Sequence, residues 1–223
     1  MNTPSPSRWG DLFDVAVSII DQANAQGLVV DRWTLGGGTA LMLQINHRES
    51  HDIDLFVDDP QLLALLNPET QGFDLHLRPS GYRSDGTQAL KVVFDGVGEI
   101  DFICSPLLTR LVGSQFVRGR QVTLEDPREI IAKKIFHRGW NLQPRDMFDI
   151  AAVCQHFGED YLVDALVPFG KSAVQALGVT NAFDRGLVGA ILANLTVYDE
   201  FKGIISQAQS VTAKVLTKVI QRG

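Results

Sequence analysis

Residues 35–57 read "LGGGTALMLQINHRESHDIDLFV", and this stretch decides the fold. Three glycines and a threonine, residues 36–39, open an amphipathic run that ends in Asp52 and Asp54 inside a hydrophobic segment. Glycine lowers the stability of regular elements through its backbone entropy, and two carboxylates on one strand face repel each other. A chain under pressure for stability alone would avoid both features, so the stretch is a candidate for function.

The pattern around this stretch predicts a strand, a glycine turn, a short helix and a second strand. We place them at Val29–Leu35, Gly36–Gly38, Thr39–Asn46 and Asp52–Val57. The same reasoning predicts further helices at residues 11–26 and 61–66, strands at 73–77, 89–94 and 99–104, and a hairpin across 116–124. The short turn at residues 95–98 indicates that the strands on either side of it are antiparallel.

The second half of the chain has a helical pattern. Asp126-Pro127 is a typical helix start, and Glu129 predicts a capping box. Pro144 predicts the start of the next helix, and residues 161–222 predict two or three more. The fold class is therefore α+β, with a mixed-sheet domain over residues 10–125 and a helical domain over residues 126–223.

The glycine turn is a candidate phosphate site. A helix start offers backbone N–H groups without intrahelical partners and the positive end of the helix dipole. Thr39 adds a hydroxyl donor. By itself this signal is weak, because many strand-to-helix turns contain glycine for packing alone.

The aspartate pair is a candidate metal site. Strand residues two apart share a face, so we expect Asp52 and Asp54 to converge on one hard cation such as Mg²⁺ or Mn²⁺. Asp101, on a strand reading "EIDFI", is a candidate third carboxylate, and Glu99 is a less favoured one. Three carboxylates beside a phosphate site are typical of two-metal phosphoryl transfer, with Asp101 assisting the acceptor hydroxyl.

Gly-Gly-Thr, followed by Asp-Ile-Asp at residues 52–54, resembles the signature of the DNA polymerase beta nucleotidyltransferase superfamily. The run "HRESHDIDLF" and the block "EDPREIIAKKIFHRGWNLQPRDMFDI", residues 125–150, resemble the AbiEii/AbiGii toxins of abortive-infection toxin–antitoxin pairs. The resemblance covers roughly residues 30–155. It implies a polymerase beta-like fold and transfer of a nucleotide from an NTP to an acceptor. We expect a hydroxyl of RNA, such as a tRNA, or of a protein as the acceptor, and an antitoxin protein as the partner.

The resemblance also implies roles for individual residues. They are Gly37, Gly38 and Thr39 at the phosphates, Asp52 and Asp54 at the metal, Lys134 at the phosphates, and Asp146 and Asp149 in the family's "RD…D" block. The doubled lysine leaves open whether Lys133 or Lys134 meets the phosphates, and the extra Gly36 departs from the plain pattern.

The residues of the second block allow two interpretations. Lys134 and Arg138 share a helix face that a polyphosphate would neutralise, but a solvated basic face is the alternative. Arg145 and Asp149 are four apart, so an ion pair between them is natural. The functional alternative is that Asp149 or Asp146 orients the cations, with Arg145 among the nucleotide-binding residues.

His47 and His51 have a spacing that can hold zinc on a helix, yet no third ligand is near in the sequence. We expect His47-Arg48 to close its helix or to contact the nucleotide.

Composition limits the other classes. The chain has 223 residues, 45% of them hydrophobic, and a net charge of −6. Residues 110–145 nevertheless carry eight basic and three acidic side chains, which indicates a local anion site or a solvated basic face. The start, "MNTPSPSRWG", lacks the apolar core of a secretory signal, and no apolar run approaches the roughly 20 residues that cross a bilayer. We therefore expect a cytoplasmic protein without a membrane partner.

Two rival functions remain. One is a small-molecule nucleotidyltransferase, such as an antibiotic-modifying enzyme, which shares the glycine turn and the acidic residues. The other is a non-catalytic nucleotide- or RNA-binding module on the same fold. Retention of both Asp52 and Asp54 argues against the second.

Overall fold

The computed structural model describes residues 6–27 and 29–223. Part of the N-terminal segment considered above, residues 1–5, lies outside them. The elements are, in chain order, α1 (Trp9–Ala25), β1 (Trp33–Gly36), α2 (Gly37–Ile45), β2 (Ile53–Val57), α3 (Gln61–Leu65), α4 (Pro68–Gln71), β3 (Gly81–Ser84), β4 (Ala89–Phe94), β5 (Gly98–Cys104), β6 (Val112–Val117), β7 (Arg120–Glu125), α5 (Pro127–Arg138), α6 (Pro144–Phe157), α7 (Glu159–Leu166), α8 (Gly170–Ala182), α9 (Arg185–Leu192) and α10 (Ala208–Arg222). Short 3₁₀ turns cover Gly139–Asn141, Val167–Phe169 and Asp199–Gln207.

The chain divides into two compact units. The first contains the residues up to Ala40, Ser50–Pro106 and Gly113–Leu124. The second contains Leu41–Glu49, Leu107–Val112 and Glu125–Gly223. The functional division at residues 10–125 and 126–223 stays a prediction.

The first unit is built on a seven-stranded mixed sheet in the order β3-β4-β5-β2-β1-β7-β6. Strands β2 and β5 are parallel, as are β1 and β7, whereas β1–β2, β3–β4 and β4–β5 are antiparallel. The α+β class is confirmed, and so is the antiparallel hairpin of β4 and β5. Side chains alternate between the two faces of strand β2, so Ile53, Leu55 and Val57 are buried while the residues between them are partly exposed.

Helix α1 packs on this sheet against β2 and β5. Its apolar residues recur at helical spacing and are buried, which places one face of the helix in the core: Leu12, Val15, Ile19 and Ala23. Two amide side chains of α1 also change the strand pattern that the sequence predicts.

The predicted strand at Phe73–Leu77 is wrong. The edge strand is β3, Gly81–Ser84, and the backbone of Asp74 is bonded by a side chain instead of a strand. Gln22 Oε1 accepts from the Asp74 N–H at 2.9 Å, and Gln22 Nε2 donates to the Asp74 carbonyl at 2.9 Å. Because a backbone group needs only one good partner, these bonds replace a ladder.

The predicted strand at Val29–Leu35 starts too early for the same reason. The side chain of Asn24 accepts from the Val30 N–H at 2.7 Å and donates to the Val30 carbonyl at 3.3 Å. The strand β1 begins only at Trp33 and includes Gly36, which the sequence predicts as part of the turn.

The second unit is helical, and α10 packs against α6, α7 and α8. Four α-helices, α7 to α10, follow residue 158 in the part of the chain described, so the prediction of two or three is wrong. One of the breaks is at Asp184, which caps α9 by accepting from the Leu187 N–H at 2.8 Å.

The predicted cap of α5 is correct at Asp126, which accepts from the Arg128 N–H at 2.9 Å. The capping box at Glu129 is wrong, because its carboxylate accepts from the backbone of Leu108 at 2.8 Å and of Thr109 at 2.6 Å. The capping box of this unit starts α6 instead, where Asp146 accepts from the Gln143 N–H at 3.1 Å.

One helical stretch of the described chain, Glu159–Ala182, is long and apolar enough to cross a membrane by length and composition alone. This corrects the expectation that no segment approaches that length. The stretch is interrupted by a 3₁₀ turn containing Pro168, and Ala173, Ala176 and Thr180 are buried by the protein itself. A core helix passes the same test, so the stretch is weak evidence for a membrane span.

Candidate active site

The glycine turn and Asp54 are in direct contact in the first unit. Gly36 lies opposite Asp54 in the antiparallel β1–β2 pair. Gly37 begins α2 with a φ of +62°, and a Cβ atom on it would lie 1.8 Å from Asp54 Oδ2. No side chain fits there, so this close approach requires glycine. An acidic oxygen therefore lies beside a helix start, where N–H groups lack intrahelical acceptors.

Thr39 has a structural partner. Its side chain is buried, and its hydroxyl donates to the Asp52 carbonyl at 2.5 Å. This bond ties the first turn of α2 to the residue before β2. The hydroxyl hydrogen of Thr39, which the sequence analysis assigns to a phosphate, is thus already used in a hydrogen bond within the protein. The candidate phosphate site therefore consists of the backbone N–H groups at Gly37 and Gly38.

The three predicted metal carboxylates have different surroundings. Asp54 and Asp101 lie opposite each other in the parallel β2–β5 pair, and neighbouring strands are about 4.8 Å apart. Asp52 turns toward the backbone of β5, where its Oδ1 accepts from the Glu99 N–H at 3.0 Å. The structure therefore pairs Asp54 with Asp101 across two strands and gives Asp52 a bond to the backbone.

Asp101 also has a cationic partner that the sequence analysis missed. Lys91 Nζ donates to Asp101 Oδ2 at 2.9 Å and makes a second ion pair with Glu99. Burial raises the pKa of Asp101, and the charges of Glu99 and Asp52 act in the same direction, although the Lys91 ammonium opposes them.

The donor set fits a hard divalent cation. Asp54 and Asp101 offer carboxylate oxygens, and Mg²⁺ typically takes one or two carboxylates and completes its shell with water and substrate phosphates. Within residues 6–27 and 29–223, no group of three or more His, Cys, Asp or Glu side chains is close enough to hold a metal. The metal ligation by Asp52, Asp54 and Asp101 stays a prediction.

An ion network lies in the second unit; this buried ion network consists of the buried residues Arg48, Lys134, Asp146 and Asp149, together with Arg138, whose side chain is 49% exposed. Asp149 is fully buried and accepts from Arg48 Nε at 2.7 Å, Arg48 Nη2 at 3.0 Å and Lys134 Nζ at 2.7 Å. Asp146 accepts from Lys134 Nζ at 2.7 Å and from Arg138 at 2.5 Å. Lys134 therefore bridges both aspartates.

The charges in this network set the pKa of Asp149. Burial alone would raise it, but the neighbouring Arg48 and Lys134 cations and the hydrogen bond of His47 outweigh burial and hold it well below its usual range. The two cations and the hydrogen bond of His47 thus favour the charged form of Asp149. The predicted Arg145–Asp149 ion pair is not formed in the described chain, because Arg48 and Lys134 take the carboxylate.

The two adjacent lysines point to different partners. Lys133 Nζ donates to Glu125 Oε1 at 2.6 Å, whereas Lys134 joins the buried ion network. Both side chains are nearly buried. Which of them meets a phosphate stays open.

The basic segment of residues 110–145 is largely neutralised. Six of its eight basic side chains form ion pairs, namely Arg118–Asp14, Arg120–Asp21, Arg128–Asp126, Lys133–Glu125, Lys134–Asp146 and Arg138–Asp146. These ion pairs lower the net positive charge that the segment offers to an anion, and the expected local anion site stays a prediction. The formal charge of a segment does not show which of its cations have partners.

His47 belongs with the buried ion network rather than with a zinc site. Its Nε2 lies 3.0 Å from Asp149 Oδ1, and its buried Nδ1 has no hydrogen-bond partner in the described chain. The backbone holds the segment in place, since the Tyr198 N–H donates to the His47 carbonyl at 3.2 Å. Burial lowers the pKa of His47, although Asp149 opposes this, so the ring is neutral at pH 7.

The buried His47 predicts acid sensitivity. Below the ordinary histidine pKa of 6.5, the unfolded chain binds a proton that the folded His47 does not. We expect the free energy of unfolding to fall with decreasing pH, by up to about 1.4 kcal/mol per pH unit for this one proton. Urea unfolding between pH 5 and 8 measures the slope, which should be smaller in His47→Asn. An equal slope in the variant and the wild type would assign the proton to another group.

The geometry of the first unit is one that a nucleotidyltransferase can use, because a glycine turn at a helix start lies against a strand aspartate with a second acidic strand beside it. Comparison with known proteins gives the family. The model of the family described as "Nucleotidyl transferase AbiEii toxin, Type IV TA system" matches residues 19–202. The chain therefore belongs to the AbiEii family of nucleotidyltransferase toxins.

The chain was also compared with solved structures and with curated proteins. A crystal structure from H. pylori, provisionally assigned as a nucleotidyltransferase, is similar over 97% of both chains, with a TM-score of 0.49 and 15% sequence identity. No curated protein matches the chain.

Proposed function

We propose that this protein is a metal-dependent nucleotidyltransferase that moves NMP from an NTP to a hydroxyl of RNA. In this reaction the hydroxyl oxygen bonds to the α-phosphorus, the bond to the β-phosphate oxygen breaks, and pyrophosphate leaves while the hydroxyl proton goes to solvent. The contact of Asp54 with the glycine turn is the observation that carries the proposal, because it brings a hard-cation ligand to a phosphate-binding helix start.

Each residue has a proposed task. The backbone N–H groups at Gly37 and Gly38 bind the triphosphate, while Thr39 holds the turn. Asp54 and Asp101 hold Mg²⁺ or Mn²⁺, with Asp52 beside them, and Asp101 also assists the acceptor hydroxyl. A bound divalent ion supplies charge neutralisation for the triphosphate.

The second unit supplies the proposed cations. Lys134, Arg138 and Arg145 are the candidates for the triphosphate, with Lys133 as the alternative lysine. Asp146 fixes Lys134 and Arg138, and Asp149 fixes Lys134, so the two aspartates act as positioning residues. A planar, bidentate contact such as that of Arg48 with Asp149 makes this arrangement stiff.

The cellular role follows from the family. We propose that transfer inhibits growth, that a separately encoded antitoxin restrains it, and that both act in the cytoplasm. The family's type IV toxin–antitoxin description supports a cognate antitoxin.

A small-molecule acceptor is the second candidate, and one observation favours it. Most cations of the basic segment are already paired with carboxylates, which leaves less positive charge for the phosphates of an RNA. Such an enzyme would use the same glycine turn and the same aspartates.

One labelling experiment separates these functions. The full chain is incubated with Mg²⁺, with each α-³²P-labelled NTP in turn, and with total RNA, total protein or a small-molecule extract. We expect label in RNA, abolished by EDTA and absent when the label is at the γ-phosphate, since only the NMP part is transferred. Label in the protein fraction instead of RNA would make a protein hydroxyl the acceptor, and label in the small-molecule fraction would support the second candidate. If none of the fractions is labelled at high enzyme concentration, nucleotidyl transfer is the wrong assignment.

A further inference from the structure

A row of charged residues crosses the sheet from the glycine turn toward its edge. In register, Asp54 of β2 lies opposite Asp101 of β5, Asp101 opposite Lys91 of β4, and Lys91 opposite Arg83 of β3. Residues directly opposite in neighbouring strands share a face of the sheet. The row thus consists of two carboxylates followed by two cations, all on the face that carries Asp54.

Lys91 takes up part of the carboxylate charge in this row. Its ammonium is 2.9 Å from Asp101 Oδ2 and also pairs with Glu99, and its side chain is 29% exposed. A single ammonium between two partly buried carboxylates is held firmly, because without it the two negative charges would repel each other. The oxygen of Asp101 that it bonds is therefore engaged by a cation of the protein itself.

We propose that Lys91 is a built-in competitor of the divalent metal, a positioning residue that holds Asp101 until metal and nucleotide arrive together. The proposal rests on the proposed function, since it assumes that Asp54 and Asp101 are the metal ligands. The Lys91 charge opposes a lone dication in the Asp54–Asp101 pair, whereas the negative triphosphate offsets that opposition. Metal loading is thereby coupled to NTP binding, and the protein without nucleotide retains little metal.

Direct metal binding without nucleotide tests this. Free Mn²⁺ is titrated by electron paramagnetic resonance against the full chain, Lys91→Met, Lys91→Arg, Arg83→Met and Asp54→Asn. We expect Lys91→Met to bind Mn²⁺ about 3- to 10-fold more tightly than the wild type, since one opposing charge is gone. Lys91→Arg keeps the charge and should stay within about twofold. Arg83→Met removes an equal charge one strand further away, so its affinity for Mn²⁺ should also stay within about twofold of the wild-type value.

The variants separate the possible failures. Circular dichroism and thermal unfolding establish that each variant is folded, and Lys91→Gln replaces Lys91→Met if the latter is not. Asp54-dependent binding that is no tighter in Lys91→Met overturns the competitor and leaves the metal site intact. Equal tightening in Arg83→Met and Lys91→Met also overturns it, because the effect would then be general electrostatics. Mn²⁺ binding that is absent, or indifferent to Asp54→Asn, in every chain overturns both the competitor and the metal site of the proposed function.

Discussion

Replacing Asp149 by asparagine is expected to lower the free energy of unfolding by about 3–5 kcal/mol. The carboxylate is fully buried and accepts two hydrogen bonds from Arg48 and one from Lys134. Asparagine keeps the size of the side chain but removes the negative charge, so both cations stay buried with less compensation. Removing one partner of a buried pair costs far more than an exposed pair contributes.

Denaturation in guanidinium chloride at pH 7.5, followed by circular dichroism, measures this loss. Asp164→Asn is the matched control, because Asp164 also pairs with an arginine, Arg222 at 2.7 Å, but is largely exposed. The control should unfold like the wild type. If Asp149→Asn does not accumulate as folded protein, Lys134→Met is measured instead. Its free energy of unfolding should fall by less than about 3–5 kcal/mol, because Asp149 keeps its ion pair with Arg48. Equal stability of Asp149→Asn and Asp164→Asn would mean that the network does not stabilise the fold.

Local sequence patterns account for much of the fold. The strand predicted at Ala89–Phe94 agrees with β4 at both ends, and Asp126-Pro127 and Pro144 start helices where the capping rules place them. These signals work because the interactions that define them lie within a few residues of one another. The turn between β4 and β5 is of the same kind, and it sets which residues of the two strands face each other.

The incorrect strand predictions have long-range causes. Residues 73–77 alternate apolar and polar side chains, which is typical of a strand, but Gln22 bonds the backbone of Asp74 from 52 residues away. Asn24 likewise bonds the backbone of Val30. Nothing in the segment itself reveals that a side chain of another element will take its backbone groups.

The site shows the same contrast. The sequence indicates that acidic groups lie near a glycine turn, and the structure puts Asp54 against Gly37. The pairing of Lys91 with Asp101 depends on the turn length: the predicted four-residue turn would put Lys91 opposite Phe102, whereas the observed pairing of Phe94 with Gly98 puts Lys91 opposite Asp101. Partners of the basic segment could not be derived, since Asp14 and Asp21 lie about a hundred residues from Arg118 and Arg120.

Replacing Gly37 by alanine is expected to reduce nucleotidyl transfer about 100-fold, because misplacing a reacting group by about 1 Å has an effect of this size. The added Cβ would lie 1.8 Å from Asp54 Oδ2, and Gly37 starts α2, so the helix and the aspartate cannot both keep their positions. Either the side chain of Asp54 rotates away from the glycine turn, or the first N–H groups of α2 shift. Both changes separate the proposed metal ligand from the proposed phosphate site.

Gly96→Ala is the matched control for Gly37→Ala. Gly96 lies in the β4–β5 turn with a φ of +71°, and a Cβ there meets no atom within 4 Å. Both variants pay a similar backbone cost of about 1 kcal/mol for alanine at positive φ. Only Gly37→Ala disturbs Asp54, so transfer of α-³²P-labelled NMP should fall in that variant and persist in the control. Equal activity of the two folded variants would show that the contact between Asp54 and the glycine turn is packing, and the reaction centre would then have to be sought elsewhere in the molecule.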